Sequence, residues 1–157
     1  MYENLKAKAH ELLEIFQNAA DYTDTATLET ILETNHFQIK VIDIEYACYL
    51  ENIIFCGRKD EISYRHNLAH EIAHIYLHCT LFSLSHPPNY KNEAQAEAFA
   101  AFLLLPSPAF EEDLMNQMGD KALSDKYQAP LHLIKVRKRI CRPELRRKMH
   151  NTEPDEF

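Results

Sequence analysis

Two histidines and a glutamate occur in the five-residue pattern HEIAH, as His70, Glu71 and His74. In a helix, residues four apart lie one turn above each other, so His70 and His74 can bind one Zn²⁺ together. Zinc lowers the pKa of a water that it binds to about 7, and a neighbouring carboxylate can accept the released proton. The pattern predicts hydrolysis with His70 and His74 as ligands and Glu71 as general base. The alternative is a buried helix with hydrogen-bonded core histidines.

A second group of carboxylates lies on segment 92–105, which is rich in Ala and Leu and precedes Pro106. This composition predicts a helix, on which Glu93 and Glu97 share one face because they are four residues apart. Buried carboxylates need a cation or hydrogen-bond donors. Glu93 would complete a set of three zinc ligands with one position open for water, and Glu97 could accept the ring N–H of a ligand histidine. The alternative is an acidic stripe facing solvent.

The periodicity of apolar residues predicts the elements that position these side chains. Helices are expected at 3–20, at 27–35 and through the HEIAH pattern to about His78. Strands are expected at 37–44, 46–50 and 53–56, in a small antiparallel sheet. Residues 81–89, with Pro87 and Pro88, are expected to form a loop.

The C-terminal third is predicted to be helical, with a helix at 108–118 that Ser107 caps and Gly119 ends. Two more helices are expected at 121–127 and 130–141, around a tight turn. They could form a helix-turn-helix whose second helix carries basic residues, namely Lys135, Arg137, Lys138 and Arg139. Alternatively, they close the core through apolar residues, namely Leu123, Tyr127, Leu131, Ile134 and Ile140.

Charge is unevenly distributed along the chain. The net charge is −11 over residues 1–134, +7 over residues 135–148 and −3 over residues 149–157, which gives −7 in total. A basic segment on an acidic body suggests docking of an acidic protein surface or of nucleic acid. The alternative is a solvated helix face that pairs with the acidic body.

Length and composition favour one small globular domain in the cytoplasm. The chain has 157 residues, of which 46% are hydrophobic, and no apolar run approaches the roughly 20 residues that span a bilayer. Its first residues alternate charged and apolar side chains, so no signal peptide is expected. The four cysteines lack CxxC spacing and are expected to be reduced thiols, at Cys48, Cys56, Cys79 and Cys141.

HEIAH, followed after a loop by ExxAxxFAAxLLxP, resembles the ImmA/IrrE family of zinc metallopeptidases over residues 65–106. The family pattern is HELGH followed by a helix that reads approximately ExEANxFAxxLLMP. The resemblance implies an α+β zincin-like fold and one Zn²⁺ per chain, with Glu93 as the third ligand. The chain departs from the pattern at four positions, namely Ala73, Gln95, Glu97 and Leu105, and a catalytic role for Gln95 is not expected. Because Glu97 stands where Asn is usual, Glu97 is the alternative candidate for the third ligand, with Glu93 in the supporting role.

The resemblance also implies a function, since family members are encoded by phages and mobile elements or act in stress responses. We therefore expect a peptidase that cleaves a specific DNA-binding repressor, in a metallopeptidase domain at 1–118. The helical segment 119–150 would pack on this domain, and 151–157 would be a disordered tail. The alternative is a regulator that binds DNA or a repressor and has a structural or degenerate zinc site.

Four further side chains have weaker indications. His78 continues the four-residue spacing after His74 and is expected to support a ligand or the fold. An oxyanion formed during attack needs a hydrogen-bond donor, and the sequence does not choose among His66, Tyr64 and Tyr76.

Overall fold

The computed structural model describes residues 2–16, 22–78 and 89–150, and residues 144–150 as backbone alone. Within these ranges the chain is α+β, with a three-stranded sheet that packs mainly against α2 and α3. The helices are α1 (Tyr2–Phe16), α2 (Thr25–Thr34), α3 (Glu61–His78), α4 (Tyr90–Leu104), α5 (Ala109–Met115), α6 (Asp120–Tyr127) and α7 (Leu131–His150). The strands are β1 (Gln38–Val41), β2 (Ala47–Leu50) and β3 (Ile53–Cys56).

The sheet is mixed, so the predicted antiparallel sheet is wrong for β1. The strand order is β1-β3-β2, and β2 pairs antiparallel with β3 as expected. β1 pairs parallel with β3, with Gln38 opposite Ile53 and Val41 opposite Cys56. The chain reverses direction between β1 and β2, but β3 lies between them. Alternation of side chains specifies the buried face of a strand and leaves its neighbour undetermined.

The first strand is shorter than predicted, since it covers 38–41 of the expected 37–44. Two apolar residues of the predicted strand are exposed, since the exposed fraction is 54% for Val41 and 42% for Ile42. The chain crosses itself closely just after β3. A Cβ atom at Gly57 would lie 1.6 Å from the Ile44 carbonyl oxygen, so this approach requires glycine.

The core is centred on α4, which packs against α1, α3 and α7. Asn89 caps α4, since its side-chain oxygen accepts a hydrogen bond from the Asn92 N–H at 3.2 Å. Both helices carry buried alanines, including Ala69 and Ala73 of α3 and Ala96 of α4. Small side chains let the two helices pack closely, which brings the middle of α3 beside the first turns of α4.

The other N-terminal helices follow the prediction. α1 covers the first part of the expected 3–20, and residues 17–20 lie outside the described residues. α2 begins after Asp24, whose carboxylate accepts a hydrogen bond from the Thr27 N–H at 2.8 Å. α3 reaches His78, and most of the predicted loop 81–89 falls outside the described ranges.

The predicted boundaries of α5 are wrong at both ends. Ser107 does not cap it, because its hydroxyl donates to Glu111 Oε1 at 2.7 Å and the helix begins after Pro108. The helix ends at Met115, and Gly119 instead precedes the first residue of α6. The helix predicted at 130–141 continues through Pro143 to His150. The predicted tail 151–157 is outside the described residues.

Two further observations concern the described part of the chain. None of its helices combines the length and apolar character that a bilayer span requires. Cys48, Cys56 and Cys141 are not in disulfide bonds, whereas Cys79 falls outside the described residues.

Candidate metal centre

The HEIAH residues lie in the middle of α3, which is long enough to present both histidines one turn apart. The Nε2 atoms of His70 and His74 are 3.2 Å apart, on the side of α3 that faces α4. His74 is only 5% exposed. The two rings therefore point one nitrogen each at a shared position, as a bidentate metal site requires.

Glu93, in the first turn of α4, completes this group. Its Oε2 atom is 3.2 Å from His70 Nε2, and its Oε1 atom is 3.4 Å from His74 Nε2. In a tetrahedral zinc site with bonds of about 2.0–2.1 Å, ligand atoms lie about 3.3–3.4 Å apart. The three separations match that spacing, and two nitrogens with a carboxylate oxygen are a donor set that zinc prefers. These side chains thus fit the metal that the sequence predicts.

Glu97, one turn further along α4, contacts the other nitrogen of His70. Its Oε2 atom lies 3.1 Å from His70 Nδ1. Burial raises the pKa of Glu97, but hydrogen bonds with His66 and His70 outweigh it and hold that pKa below its usual value. Glu97 is therefore an anion that accepts the Nδ1–H of His70. This contact leaves the Nε2 lone pair of His70 directed at Glu93 and His74.

The Nδ1 atom of His74 is also in a hydrogen-bonded chain, which runs through His78 to Gln95. His74 Nδ1 is 3.0 Å from His78 Nδ1, and His78 Nε2 is 3.4 Å from Gln95 Oε1. Because the Gln95 carbonyl oxygen only accepts, His78 carries its proton on Nε2 and accepts from His74 at Nδ1. His74 then also keeps its Nε2 lone pair for a metal. His78 thus contacts the candidate ligand His74, and Gln95 contacts His78.

The ionisation of the two histidines reflects burial and neighbouring charge. Burial and the adjacent His70 lower the pKa of His74, so its ring is neutral at pH 7. Burial also lowers the pKa of His70, but the hydrogen bond with Glu97 and the charge of Glu71 raise this pKa by more than burial lowers it, so the net shift is upward.

Glu71, which follows His70 on α3, is 3% exposed. Its charge contributes to the raised pKa of His70. Burial, together with the charge of Glu71, raises the pKa of the Cys48 thiol. The same two causes raise the pKa of Cys56 to about 12. The carboxylate is thus close to both the ligand cluster and the thiols of β2 and β3. A buried carboxylate beside a candidate metal site is suited to accept a proton.

The three predicted oxyanion donors are not equivalent in the structure. The Tyr64 hydroxyl donates to Glu29 Oε1 at 2.9 Å, and the Tyr76 hydroxyl accepts from Asn35 Nδ2 at 2.9 Å. Both tyrosines therefore face α2 and its C-terminal cap rather than the cluster. His66 lies beside Glu97, with its Nε2 atom 3.0 Å from Oε2.

Sequence reasoning missed His132, which lies in the first turn of α7. Its Nε2 atom is 3.0 Å from Glu97 Oε1. No spacing rule connects residues 97 and 132, because tertiary packing of α7 against α4 brings them together. A histidine in the first turn of a predicted helix was the available signal, and it is a weak one.

The predicted basic face of α7 is wrong for Arg137. This side chain is 1% exposed, and its Nε donates to the Leu105 carbonyl oxygen at 3.2 Å. Its guanidinium also contacts Ser107 and Glu111. Lys138 pairs with Asp120 at 2.6 Å. Tertiary contacts thus take one arginine into the core and pair a lysine, and composition alone could not separate these from exposed basic residues.

Comparison with known proteins places this geometry in a family. The model of peptidase family M78, described as the IrrE N-terminal-like domain, matches residues 31–138. No match is found among curated proteins. The matched region runs from α2 into α7 and includes all of the residues that form the cluster. The chain therefore belongs to the ImmA/IrrE family of peptidases, family M78.

Proposed function

We propose that this chain is a zinc-dependent endopeptidase of the HExxH type that cleaves a DNA-binding repressor of a phage or mobile element. One observation carries the proposal, namely that His70 Nε2, His74 Nε2 and the Glu93 carboxylate converge with separations of 3.2 to 3.4 Å. Membership of a peptidase family supports the reaction class. The candidate ligands come from α3 and α4, which pack closely against each other, so the fold brings them together.

Zinc held by these side chains would supply Lewis acidity, which polarises a peptide carbonyl and acidifies water. Glu71 accepts a proton from the attacking water as the water oxygen bonds to the carbonyl carbon. Glu71 then donates this proton to the amine nitrogen as the C–N bond breaks. Glu97 and His78 hold the ligand histidines in the required tautomers throughout.

The charge of the chain supports a basic protein substrate. Its net charge is −7, and DNA-binding proteins carry basic surfaces that an acidic enzyme attracts over long range. Such a substrate acts where DNA is, which places the proposed reaction in the cytoplasm. Of the basic residues in 135–148 that could dock an acidic protein surface or nucleic acid, Arg137 is buried and does not face a partner.

The alternative, a DNA-binding regulator built on α6 and α7, has less support. The start of α7 faces Glu97 through His132, and Arg137 is inside the protein. Lys135, Arg139 and Arg142 are exposed and could contact phosphates. Salt-sensitive binding of duplex DNA by the wild-type protein would favour this alternative.

Co-expression with a helix-turn-helix repressor encoded by an adjacent gene tests the proposal. The wild type should produce repressor fragments, and Glu71→Gln should reduce their rate of formation by roughly 10²- to 10⁴-fold, since it removes the general base. Glu112→Gln is a matched control on exposed surface of α5. Fragments that form equally fast with Glu71→Gln would show that Glu71 is not the base.

A further inference from the structure

Three imidazoles, from two helices, contact the Glu97 carboxylate. His70 Nδ1 and His66 Nε2, both on α3, lie 3.1 and 3.0 Å from Oε2, and His132 Nε2, on α7, lies 3.0 Å from Oε1. The rings of His66 and His132 meet edge to face with centroids 4.8 Å apart. Supporting one ligand histidine requires one carboxylate contact, so the other two histidines need a separate explanation.

His70 has no capacity to serve a second ion. Its Nε2 atom faces Glu93 and His74, so its remaining proton is on Nδ1 and is given to Glu97. Binding a second metal at Nδ1 would require an imidazolate, the form of the ring in which neither nitrogen carries a proton. The remaining donors are His66, Glu97 and His132. Two imidazoles and a carboxylate are the set that Zn²⁺ and similar divalent ions prefer.

The fold fixes two of these donors and leaves the third accessible. Buried Arg65, beside His66, donates to the Tyr127 carbonyl oxygen at 3.1 Å and also contacts the Gln128 carbonyl. These bonds tie α3 to the turn before α7, so they hold His66 near the start of α7. The His66 and Glu97 side chains are 17% and 22% exposed, whereas that of His132 is 58% exposed. An ion can therefore enter from solvent on the His132 side.

We propose that His66, Glu97 and His132 form a second site for a divalent transition-metal ion such as Zn²⁺, distinct from the site at His70, His74 and Glu93. The assignment of His70 to the first site rests on the proposed function. The second site binds more weakly, because exposed His132 loses side-chain freedom on binding and Glu97 is shared with His70. Repulsion between the two cations weakens it further.

Metal binding to the full chain tests this directly. Protein stripped with a chelator is titrated with Zn²⁺ and followed by calorimetry, and bound zinc is counted after equilibrium dialysis against excess Zn²⁺. The wild type should bind two equivalents in two separate steps. His132→Ala and His66→Ala should each lose the weaker equivalent and keep the tight one. His132 is exposed, so its replacement leaves the fold intact.

His10→Ala is a matched control, since His10 is an exposed histidine of α1 that pairs with Glu14 at 3.4 Å and contacts none of the three proposed ligands in the described structure. It should keep both equivalents. A single equivalent in the wild type, or two in His132→Ala, would overturn the second site and leave the extra histidines as supports of Glu97. His74→Ala should lose the tight step alone. If it kept the tight step while His132→Ala lost the weak one, the proposed function would fail and the second site would stand.

Discussion

Glu93 and Glu97 lie one turn apart on α4, and their partners distinguish their roles. Glu93 contacts the Nε2 atoms of both His70 and His74, whereas Glu97 contacts His70 at Nδ1. The third ligand must lie beside the nitrogen atoms that would coordinate the metal, which are the Nε2 atoms. Of the two carboxylates, Glu93 lies there and Glu97 does not. Because the two carboxylates are one helical turn apart on α4, both reach α3 but contact different nitrogen atoms of His70.

Zinc affinity should separate these two roles. Glu93→Gln removes a charged ligand and should abolish tight zinc binding. Glu97→Gln should lower affinity at the tight site by about 10- to 100-fold, as loss of a hydrogen-bonding partner of a ligand does. Competition against a chromophoric chelator measures both. Tight binding that survives in Glu93→Gln and vanishes in Glu97→Gln would reverse the assignment.

At the scale of elements, α7 is a core helix as much as a basic one. Arg137 projects into the protein, bonds the end of α4 at Leu105 and reaches Glu111 of α5 at 3.4 Å. Its guanidinium also stacks 4.4 Å from the centre of the Phe102 ring. The helix that carries the positive charge therefore joins α4 and α5 through one of its arginines.

Charge reversal along α7 should consequently have two different outcomes. Arg137→Glu places a carboxylate beside Glu111 and should cost about 3–5 kcal/mol in the free energy of unfolding, as breaking a buried ion pair does. Arg139→Glu, on the exposed face, should change it by less than about 0.5 kcal/mol. Urea denaturation followed by circular dichroism compares them. Equal stability of the two variants would contradict burial of Arg137.

The elements also show what the sequence could specify. α3 and α4 follow from local signals, namely helical spacing of His70 and His74 and an alanine-rich run ended by Pro106. The parallel pairing of β1 with β3 and the contact between His132 and Glu97 are non-local. Local pattern leaves such pairings open, because packing between distant segments decides them. The burial of Arg137 is of the same kind.

At the scale of the whole molecule, buried charges join the N-terminal and C-terminal helices. Lys6 of α1 donates a hydrogen bond to Glu111 Oε1 at 2.8 Å. Glu111 also accepts hydrogen bonds from the Ser107 hydroxyl and the Arg137 guanidinium. Burial raises the pKa of Glu111, but hydrogen bonds from Lys6 and Ser107, with the charges of Lys6 and Arg137, lower it to about 2. The carboxylate is thus ionised in the folded protein far below its usual pKa.

Acid stability should report this group. Because the folded-state pKa lies below the usual 4.5, the contribution of Glu111 is complete above about pH 4.5 and is lost as pH falls toward about 2. Glu111→Gln should be less stable than wild type at pH 7, and the difference should shrink across that window. Urea denaturation at each pH measures it, with exposed Glu112→Gln as the control. A difference independent of pH would contradict the assignment.

The zinc content of purified protein tests the central claim most directly. After dialysis against a limiting chelator, which strips weakly held ions, the wild type and Glu71→Gln should each retain one Zn²⁺ per chain. His74→Ala should retain none, because it removes one of three ligands, while its circular dichroism spectrum matches that of the wild type. Undiminished zinc in His74→Ala would place the metal elsewhere and contradict the account of a metallopeptidase built on His70, His74 and Glu93.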